Sequence, residues 1–182
     1  LVNVAQAHAP DVILTVDNGI SSHAGVNAAN ALGISVVITD HHLPAKTLPA
    51  ASAIVNPHVD SPAFESNALA GVGVCFYVML AVRGYLRAQA WFTETRGEPA
   101  FSQFLDLVAL GTIADVVPLD RVNRLLVEQG LRCIRADKGS PGIRALLEVA
   151  GRDPRSACAN DLGFAAAPRL NAAGRMADIG VG

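Results

Sequence analysis

The feature that most constrains the fold of this chain is a strand–helix–strand pattern near its beginning. Two short runs rich in β-branched residues, 11–16 and 35–39, predict buried strands. The segment between them predicts a helix that is capped at Ser21 or Ser22, runs to about Leu32 and is stopped by Gly33. A helix between two such strands, all within about 30 residues, is the βαβ unit that builds parallel sheets. A shorter apolar run at 53–55 predicts a third strand.

The rest of the chain has mostly helical patterns. Apolar residues recur at helical spacing in four later segments. Helices are predicted over residues 71–91, 101–114, 121–136 and 141–150. The segment 161–182 is rich in alanine and glycine and is not assigned. The sequence therefore predicts an α/β fold, a parallel sheet with flanking helices, followed by a mostly helical segment.

Composition excludes several classes of protein. Of the 182 residues, 51% are hydrophobic and 16% are charged, which is enough to bury a core and excludes a disordered chain. The longest apolar run, Val72–Val82, is about half the length that a bilayer requires and ends at Arg83, so no membrane span is predicted. The N-terminus lacks the basic start and apolar stretch of a signal peptide, and we expect a cytoplasmic protein.

The two parts of the chain differ in charge. Residues 1–120 hold 4 basic and 10 acidic side chains, whereas residues 121–182 hold 10 basic and 6 acidic ones. A carboxylate-rich part followed by a basic part would suit a metal site beside an anion-binding surface. Ordinary variation in charge between solvated helices would produce the same pattern.

Polar clusters follow the first two predicted strands directly. Asp17 and Asn18 come after the first strand, and Asp40, His41 and His42 come after the second. The carboxyl ends of neighbouring parallel strands meet at one edge of a sheet, so these side chains are expected to lie close together. A carboxylate with imidazoles suits Mn²⁺, Fe²⁺ or Zn²⁺ better than Ca²⁺. Considered separately, an Asp-Asn-Gly turn and a histidine at a strand end are common structural features.

Two further segments are candidates for chemistry. Asp115 stands between the apolar runs 107–114 and 116–119, where a carboxylate is costly unless it is paired or bound to a cation, or serves as a helix cap. Arg169 and Arg175 stand among small residues that would let an anion approach closely, and guanidinium groups bind phosphate with two parallel hydrogen bonds. An ordinary loop with two solvated arginines is the alternative.

Taken together, these segments resemble the DHH phosphoesterase superfamily. VDNGI at 16–20 is similar to its second motif, TDHH at 39–42 to the triplet that names the family, and GTIADVVPL at 111–119 to its fourth motif. Within the superfamily, PRLNAAGR at 168–175 and GVGV at 71–74 resemble bacterial exonucleases that degrade single-stranded DNA. The resemblance covers essentially the whole chain, with these motifs in the expected order.

The resemblance implies a site for two Mn²⁺ or Mg²⁺ ions at a sheet edge. Asp17, His41 and Asp115 would bind metal, and His42 would lie near metal or the scissile phosphate. Asp40 and Asn18 would support these residues. Paired metals of this kind activate water and neutralise charge during phosphoryl transfer.

The resemblance also implies a substrate and partners. Arg169, Asn171 and Arg175 would face the backbone of single-stranded DNA, which the enzyme would digest from 5′ to 3′ in recombination and repair. A single-strand-binding protein and a RecQ-type helicase would be partners, and no membrane would be involved. The alternatives are a DHH hydrolase of oligoribonucleotides, cyclic dinucleotides or pyrophosphate, and a non-catalytic relative that binds single strands.

Parts of the family pattern are absent from these 182 residues. The first motif, which supplies further metal-binding aspartates, would lie before Leu1, and the C-terminal substrate-binding domain would follow Gly182. We therefore expect an internal piece of a longer protein. Residues 1–136 would be a partial DHH catalytic domain, and 137–182 a helical segment leading to the second domain. With the metal site incomplete, this piece alone is expected to be inactive or nearly so.

Overall fold

The computed structural model of the chain describes residues 2–59 and 64–176, with the backbone alone for 173–176. The chain divides into two compact units, Leu1–Val78 and Met79–Gly182. The predicted end of the partial catalytic domain at residue 136 is a different kind of boundary from this division into compact units. It stays a prediction.

The first unit is a small parallel α/β layer. Its elements are α1 (Val2–Gln6), β1 (Val12–Val16), α2 (His23–Ala31), β2 (Ser35–Thr39), β3 (Ala53–Val55) and the first turns of α3 (Gly71–Ala88). The three strands are parallel in the order β1-β2-β3, and Val16 of β1 is opposite Thr39 of β2. The predicted parallel sheet with flanking helices is confirmed.

The core of the first unit lies on one face of the sheet. Val26 and Ala29 of α2 pack against Val36 and Ile38 of β2. On β1, alternate residues are about half exposed, because no described element of this unit covers that face. The prediction of a buried first strand is therefore wrong for β1, whereas β2, the central strand, buries Val36, Ile38 and Thr39.

Helix α3 has the length and apolar composition of a membrane-crossing helix. For a single helix this finding is weak, because the core helix of a globular protein meets the same criteria. The apolar run within α3 ends at Arg83, but the helix as a whole still meets these criteria, so the end of that run does not by itself exclude a membrane span. In the second unit, the end of α3 is polar, with Arg83 and Arg87 both paired to Glu98.

The second unit is helical in the residues that the structure describes. It contains α4 (Leu105–Ala114), α5 (Arg121–Arg135), α6 (Pro141–Val149), α7 (Ala159–Asp161) and α8 (Ala167–Met176), with a π-helical turn at Leu162–Ala166. Helices α4 and α5 form a close hairpin, because Gly130 carries no side chain where the backbone of Leu105 passes. The core is built from aliphatic side chains, namely Val127, Leu131, Ile134, Ile143, Leu147 and Leu162.

Most predicted helices have nearly the predicted bounds. Helix α3 ends at Ala88 instead of residue 91, and the segment 101–114 begins with a short 3₁₀ turn, Phe101–Phe104. The unassigned segment after residue 161 is helical as far as Met176, and residues 177–182 lie outside the description.

Candidate metal centre

The carboxyl ends of β1 and β2 bring Asp17, His41 and His42 together. Because Val16 is in register with Thr39, the polar residues that follow the two strands begin at the same level of the sheet. One donor atom from each of the three side chains lies within 4.8 Å of the other two. His41 Nε2 is 3.2 Å from Asp17 Oδ1, and the Asp17 side chain is 54% exposed. The paired strands thus hold the three side chains close together, and the Asp17 side of the cluster is open to solvent.

The turn after β1 fixes the backbone of Asp17. Asp17 adopts a left-handed conformation with φ 58°, which aspartate tolerates better than most residues. Its N–H donates to Thr39 O over 2.9 Å, so the turn continues the pairing of the two strands. Thr15 Oγ1 donates to Asn18 O over 2.6 Å. The described contact of Asn18 is therefore made by its backbone, and Gly19 completes the turn with φ 118°.

Asp40 is a buried carboxylate, 1% exposed, that organises the turn after β2. Its Oδ2 accepts from Ile20 N–H over 2.9 Å, and its Oδ1 accepts from His41 N–H over 2.8 Å. Burial alone would raise the pKa of Asp40, but the hydrogen bonds from Ile20, His42 and His41 outweigh it and hold the pKa below its usual value. The Asp40 carboxylate is therefore charged, and its hydrogen bonds connect the turn after β1 to the turn after β2.

The same carboxylate orients the His42 ring. His42 Nδ1 lies 2.7 Å from Asp40 Oδ1, and His42 N–H donates to the same oxygen over 3.2 Å. A proton held on Nδ1 against this carboxylate makes Nε2 the ring nitrogen that can bind a metal or a phosphate oxygen.

Asn56, which directly follows β3, bonds to the backbone of His42 and was missed by the sequence analysis. It is 4% exposed, and its Nδ2 donates to His42 O over 2.9 Å. Its Oδ1 accepts from His58 N–H over 2.8 Å, which fixes the amide orientation. The available signal was the same as for Asp17 and Asp40, a polar residue directly after a strand of the parallel sheet.

The donors of this cluster fit a divalent cation. One carboxylate and two imidazoles, converging and partly open to solvent, form a mixed oxygen and nitrogen set of the kind that binds Mn²⁺ or Zn²⁺. Mg²⁺ prefers oxygen ligands and usually keeps several water ligands. The exposed side chain of Asp17 leaves room for water to bind beside it.

Asp115 lies in the second unit, directly after α4, and is exposed, so the burial that its apolar neighbours suggested is not observed. Its N–H donates to Gly111 O over 3.0 Å, and the next residue, Val116, is exposed with φ 58°, an unusual conformation for a β-branched residue. The turn is held from α5. Buried Asn123 donates through Nδ2 to Pro118 O over 2.8 Å, and Asp120 caps the helix by accepting from Asn123 N–H over 2.9 Å. The turn after Asp115 is thus rigidly supported.

The predicted phosphate-binding residues lie in helix α8 and not in a loop. Arg169 Nη1 donates to Ala165 O, in the π-helical turn just before α8, over 2.7 Å, and Asn171 is exposed. On a regular helix, a residue two or six positions further along lies roughly on the opposite side. Asn171 and Arg175 hold these two positions relative to Arg169. The Arg175 side chain lies outside the described atoms. The structure therefore does not place the three positions on one face.

A parallel sheet with a carboxylate–imidazole cluster at the carboxyl ends of its strands defines a candidate metal-dependent hydrolytic site. The model of the DHH family, N-terminal domain, matches residues 2–112. The chain belongs to the DHH family.

Curated relatives and solved structures agree with this assignment. The chain is 61% identical over 184 residues to the single-stranded-DNA-specific exonuclease RecJ of Dickeya dadantii and 60% identical over 183 residues to that of Escherichia coli K12. Both alignments cover 100% of this chain and 32% of the relative, so the chain spans about a third of their length.

Two solved structures are also similar. A crystal structure of exonuclease RecJ bound to manganese has a TM-score of 0.79 and 36% identity, and the match covers 97% of this chain and 42% of that one. The crystal structure of RecJ from Thermus thermophilus in complex with Mn²⁺ has a TM-score of 0.79 and 35% identity, covering 99% of this chain and 26% of that one.

Proposed function

We propose that this chain forms part of the nuclease core of a RecJ-type exonuclease, which hydrolyses phosphodiester bonds of single-stranded DNA from 5′ to 3′. The observation that carries the proposal is the convergence of Asp17, His41 and His42 at the ends of two paired strands, over the buried Asp40 carboxylate. The high identity to RecJ exonucleases of two bacteria supports it.

The proposed cofactor is Mn²⁺ or Mg²⁺ in a two-metal site. Asp17 and His41 would hold metal in the first unit, and Asp115 is the proposed ligand from the second. A divalent ion bound here would activate water and neutralise negative charge on the phosphate. The two crystal structures of RecJ with manganese support this choice.

The protein's own groups provide the order of the site. Asp40 keeps a proton on His42 Nδ1 and fixes both backbone turns, so His42 Nε2 can face a phosphate oxygen without reorganisation. The conformation of Asp17 is set by the strand pairing at Thr39 and by the turn that ends at Gly19. These contacts hold the reacting groups in place before the substrate binds.

The proposed substrate surface lies in the basic part of the chain. Residues 121–182 hold 10 basic and 6 acidic side chains, a balance that favours the phosphate backbone of nucleic acid. Arg169, Asn171 and Arg175 are proposed to contact DNA from two sides of α8. A role in recombination and repair in the cytoplasm, with a single-strand-binding protein and a RecQ-type helicase as partners, is proposed with this activity.

The first experiment offers four substrates to the full-length protein with Mn²⁺: single-stranded DNA, duplex DNA, a short oligoribonucleotide and pyrophosphate. We expect mononucleotides to be released from the 5′ end of single-stranded DNA and little hydrolysis of the other three. Preference for the oligoribonucleotide or pyrophosphate would move the protein to another branch of the DHH family. Binding of single strands without hydrolysis would contradict the catalytic proposal.

A substitution tests the metal role of the second unit. Asp115→Ala should abolish hydrolysis and leave the folded state intact, as measured by circular dichroism. Asp11→Ala is the matched control, because Asp11 is an exposed carboxylate just before β1, at the end of that strand away from Asp17. Turnover by the Asp115 variant at the control's rate would show that the assigned role is wrong.

A further inference from the structure

Gly71, the first residue of α3, is a buried glycine that touches Asp17. A Cβ added to Gly71 would lie 2.6 Å from Asp17 Cβ and closer still to the carboxylate of the same side chain. Such separations are far below van der Waals contact, which begins near about 3.5 Å for carbon atoms. In contrast, Gly84 of the same helix and Gly25 of α2 have open space where a Cβ would be added.

Asp17 cannot avoid that contact by rotating its side chain. Rotation about χ1 moves the carboxylate but leaves Cβ in place, because the backbone fixes the position of Cβ. That backbone is already constrained, since Asp17 has φ 58° and its N–H is bonded to Thr39 O over 2.9 Å. A side chain at position 71 would therefore have to move the turn after β1 or the start of α3.

The start of α3 is also held in place. Leu69 and Ala70, just before the helix, are 3% and 1% exposed. Val74 N–H donates to Ala70 O over 3.0 Å, and a Cβ on Gly73 would lie 3.2 Å from Leu69 Cδ2. The segment before the helix is thus packed against its first turn, so the start of α3 cannot move away from Asp17 without disrupting that packing.

We infer that Gly71 is a positioning residue for the proposed metal site. The absence of a side chain at Gly71 lets the first turn of α3 close against Asp17, which limits the carboxylate to orientations that face His41 Nε2, 3.2 Å away. The contact with Asp17 explains why this position holds a residue without a side chain. The inference rests on the proposed function, because it assigns Asp17 a metal to bind.

The first test measures Mn²⁺ affinity of the full-length protein by titration, with the electron paramagnetic resonance signal of free Mn²⁺ as the readout. Gly71→Ala should weaken Mn²⁺ binding at least tenfold at a temperature where the variant is folded. Gly84→Ala and Gly25→Ala are the matched controls and should bind as the parent does. Parental affinity in a folded Gly71→Ala variant would overturn the inference.

The second test separates the contact with Asp17 from a general loss of stability. Asp17→Gly removes the three atoms nearest to the new Cβ, and glycine tolerates the positive φ. Gly71→Ala should lower the midpoint of urea unfolding in the parent and leave it unchanged in the Asp17→Gly background. An equal loss in both backgrounds, including failure to fold in both, would overturn the inference.

The two tests also distinguish this inference from the proposed function. If the parent protein binds no Mn²⁺, the proposed metal site fails, but the stability cycle still reports whether Gly71 contacts Asp17. If the parent binds Mn²⁺ and the Gly71→Ala variant binds it equally well, the site stands and the positioning role fails.

Discussion

Two regions, the strand-end cluster of Asp17, His41 and His42 and helix α8, position their functional residues in different ways. Asp17, His41 and His42 follow paired strands, and the buried carboxylate of Asp40 bonds to both turns. The predicted DNA-contacting positions of α8 are distributed around one helix, and Arg169 bonds to Ala165 O in the turn just before it. A metal site needs atoms fixed to within fractions of an ångström, whereas phosphate contacts tolerate mobile side chains. Substitutions in the two regions should therefore differ in size and in kind.

The largest effect is expected from Asp17→Asn. The amide keeps the shape of the side chain and tolerates the positive φ, but it removes the charge that attracts the cation. The loss of Mn²⁺ affinity should exceed the roughly 100-fold that removal of an outer hydrogen-bond partner can cost. Thermal denaturation with and without Mn²⁺ measures it, since bound metal raises the stability of the parent by about 2.7 kcal/mol at roughly 100 times the dissociation constant.

The control for this substitution is Asp11→Asn, an exposed carboxylate just before β1. Its Mn²⁺-dependent stabilisation should equal that of the parent. An Asp17→Asn variant that is still stabilised by Mn²⁺ to the same extent would show that the strand-end cluster is not the metal site.

Asp40→Asn should have the next largest effect. Asparagine replaces an acceptor-only carboxylate with an amide that cannot satisfy the N–H donors of Ile20, His41 and His42 together. We expect a loss of about 3 kcal/mol in the free energy of unfolding, and a loss of about 10- to 100-fold in Mn²⁺ affinity. Urea unfolding and Mn²⁺ titration measure the two effects separately.

Asp106→Asn is a matched control for burial. Asp106 is also fully buried and accepts from the N–H groups of Leu107 and Ser140, but it lies in the second unit and outside the strand-end cluster. It should lose stability without losing Mn²⁺ affinity. If both variants lose affinity equally, Asp40 acts through general stability and not through the site.

Arg169→Ala should have a smaller effect of a different kind. Loss of one phosphate contact should weaken binding of single-stranded DNA several-fold and reduce the salt dependence of the binding constant by about one unit of slope. Mn²⁺ affinity should not change. Arg87→Ala, which removes an exposed arginine of the same unit outside residues 121–182, is the control. An unchanged salt slope would show that Arg169 supports the local structure, through its bond to Ala165 O, and does not contact the substrate.

The smallest effect concerns the start of the helical segment that contains α8. Hydrogen bonds from the backbone and side chain of Cys158, with the nearby charge of Arg152, lower the pKa of Asp161. The contribution of the Asp161 carboxylate to the free energy of unfolding is thus present at neutral pH. It is lost as the pH falls from the ordinary carboxyl pKa of about 3.9 through the lower pKa of the folded state. The difference in urea midpoint between the parent and Asp161→Asn should shrink below about pH 4. A difference that is constant from neutral pH down to about pH 3 would contradict it.

Much of the fold and part of the site could be predicted from local pattern. The strands 35–39 and 53–55 and the helix starts at 71, 121 and 141 were predicted at the observed positions, because β-branched runs, caps and prolines act locally. The proximity of Asp17 to His41 followed from the rule that parallel strands end at one edge. The exposed face of β1 and the helical state of 167–176 were not predicted, because both depend on what packs against those residues.

The sequence by itself determined most of the elements, the parallel pairing of the strands and the residues at the strand ends, since short-range preferences and the handedness of the βαβ unit leave few alternatives. The tertiary structure alone decided which groups support those residues. Ile20 N–H and Asn56 reach the strand-end cluster through turns, and Gly71 meets Asp17 from a helix that starts far later in the chain. No local pattern encodes such contacts, because close packing between distant segments determines where a side chain must be absent.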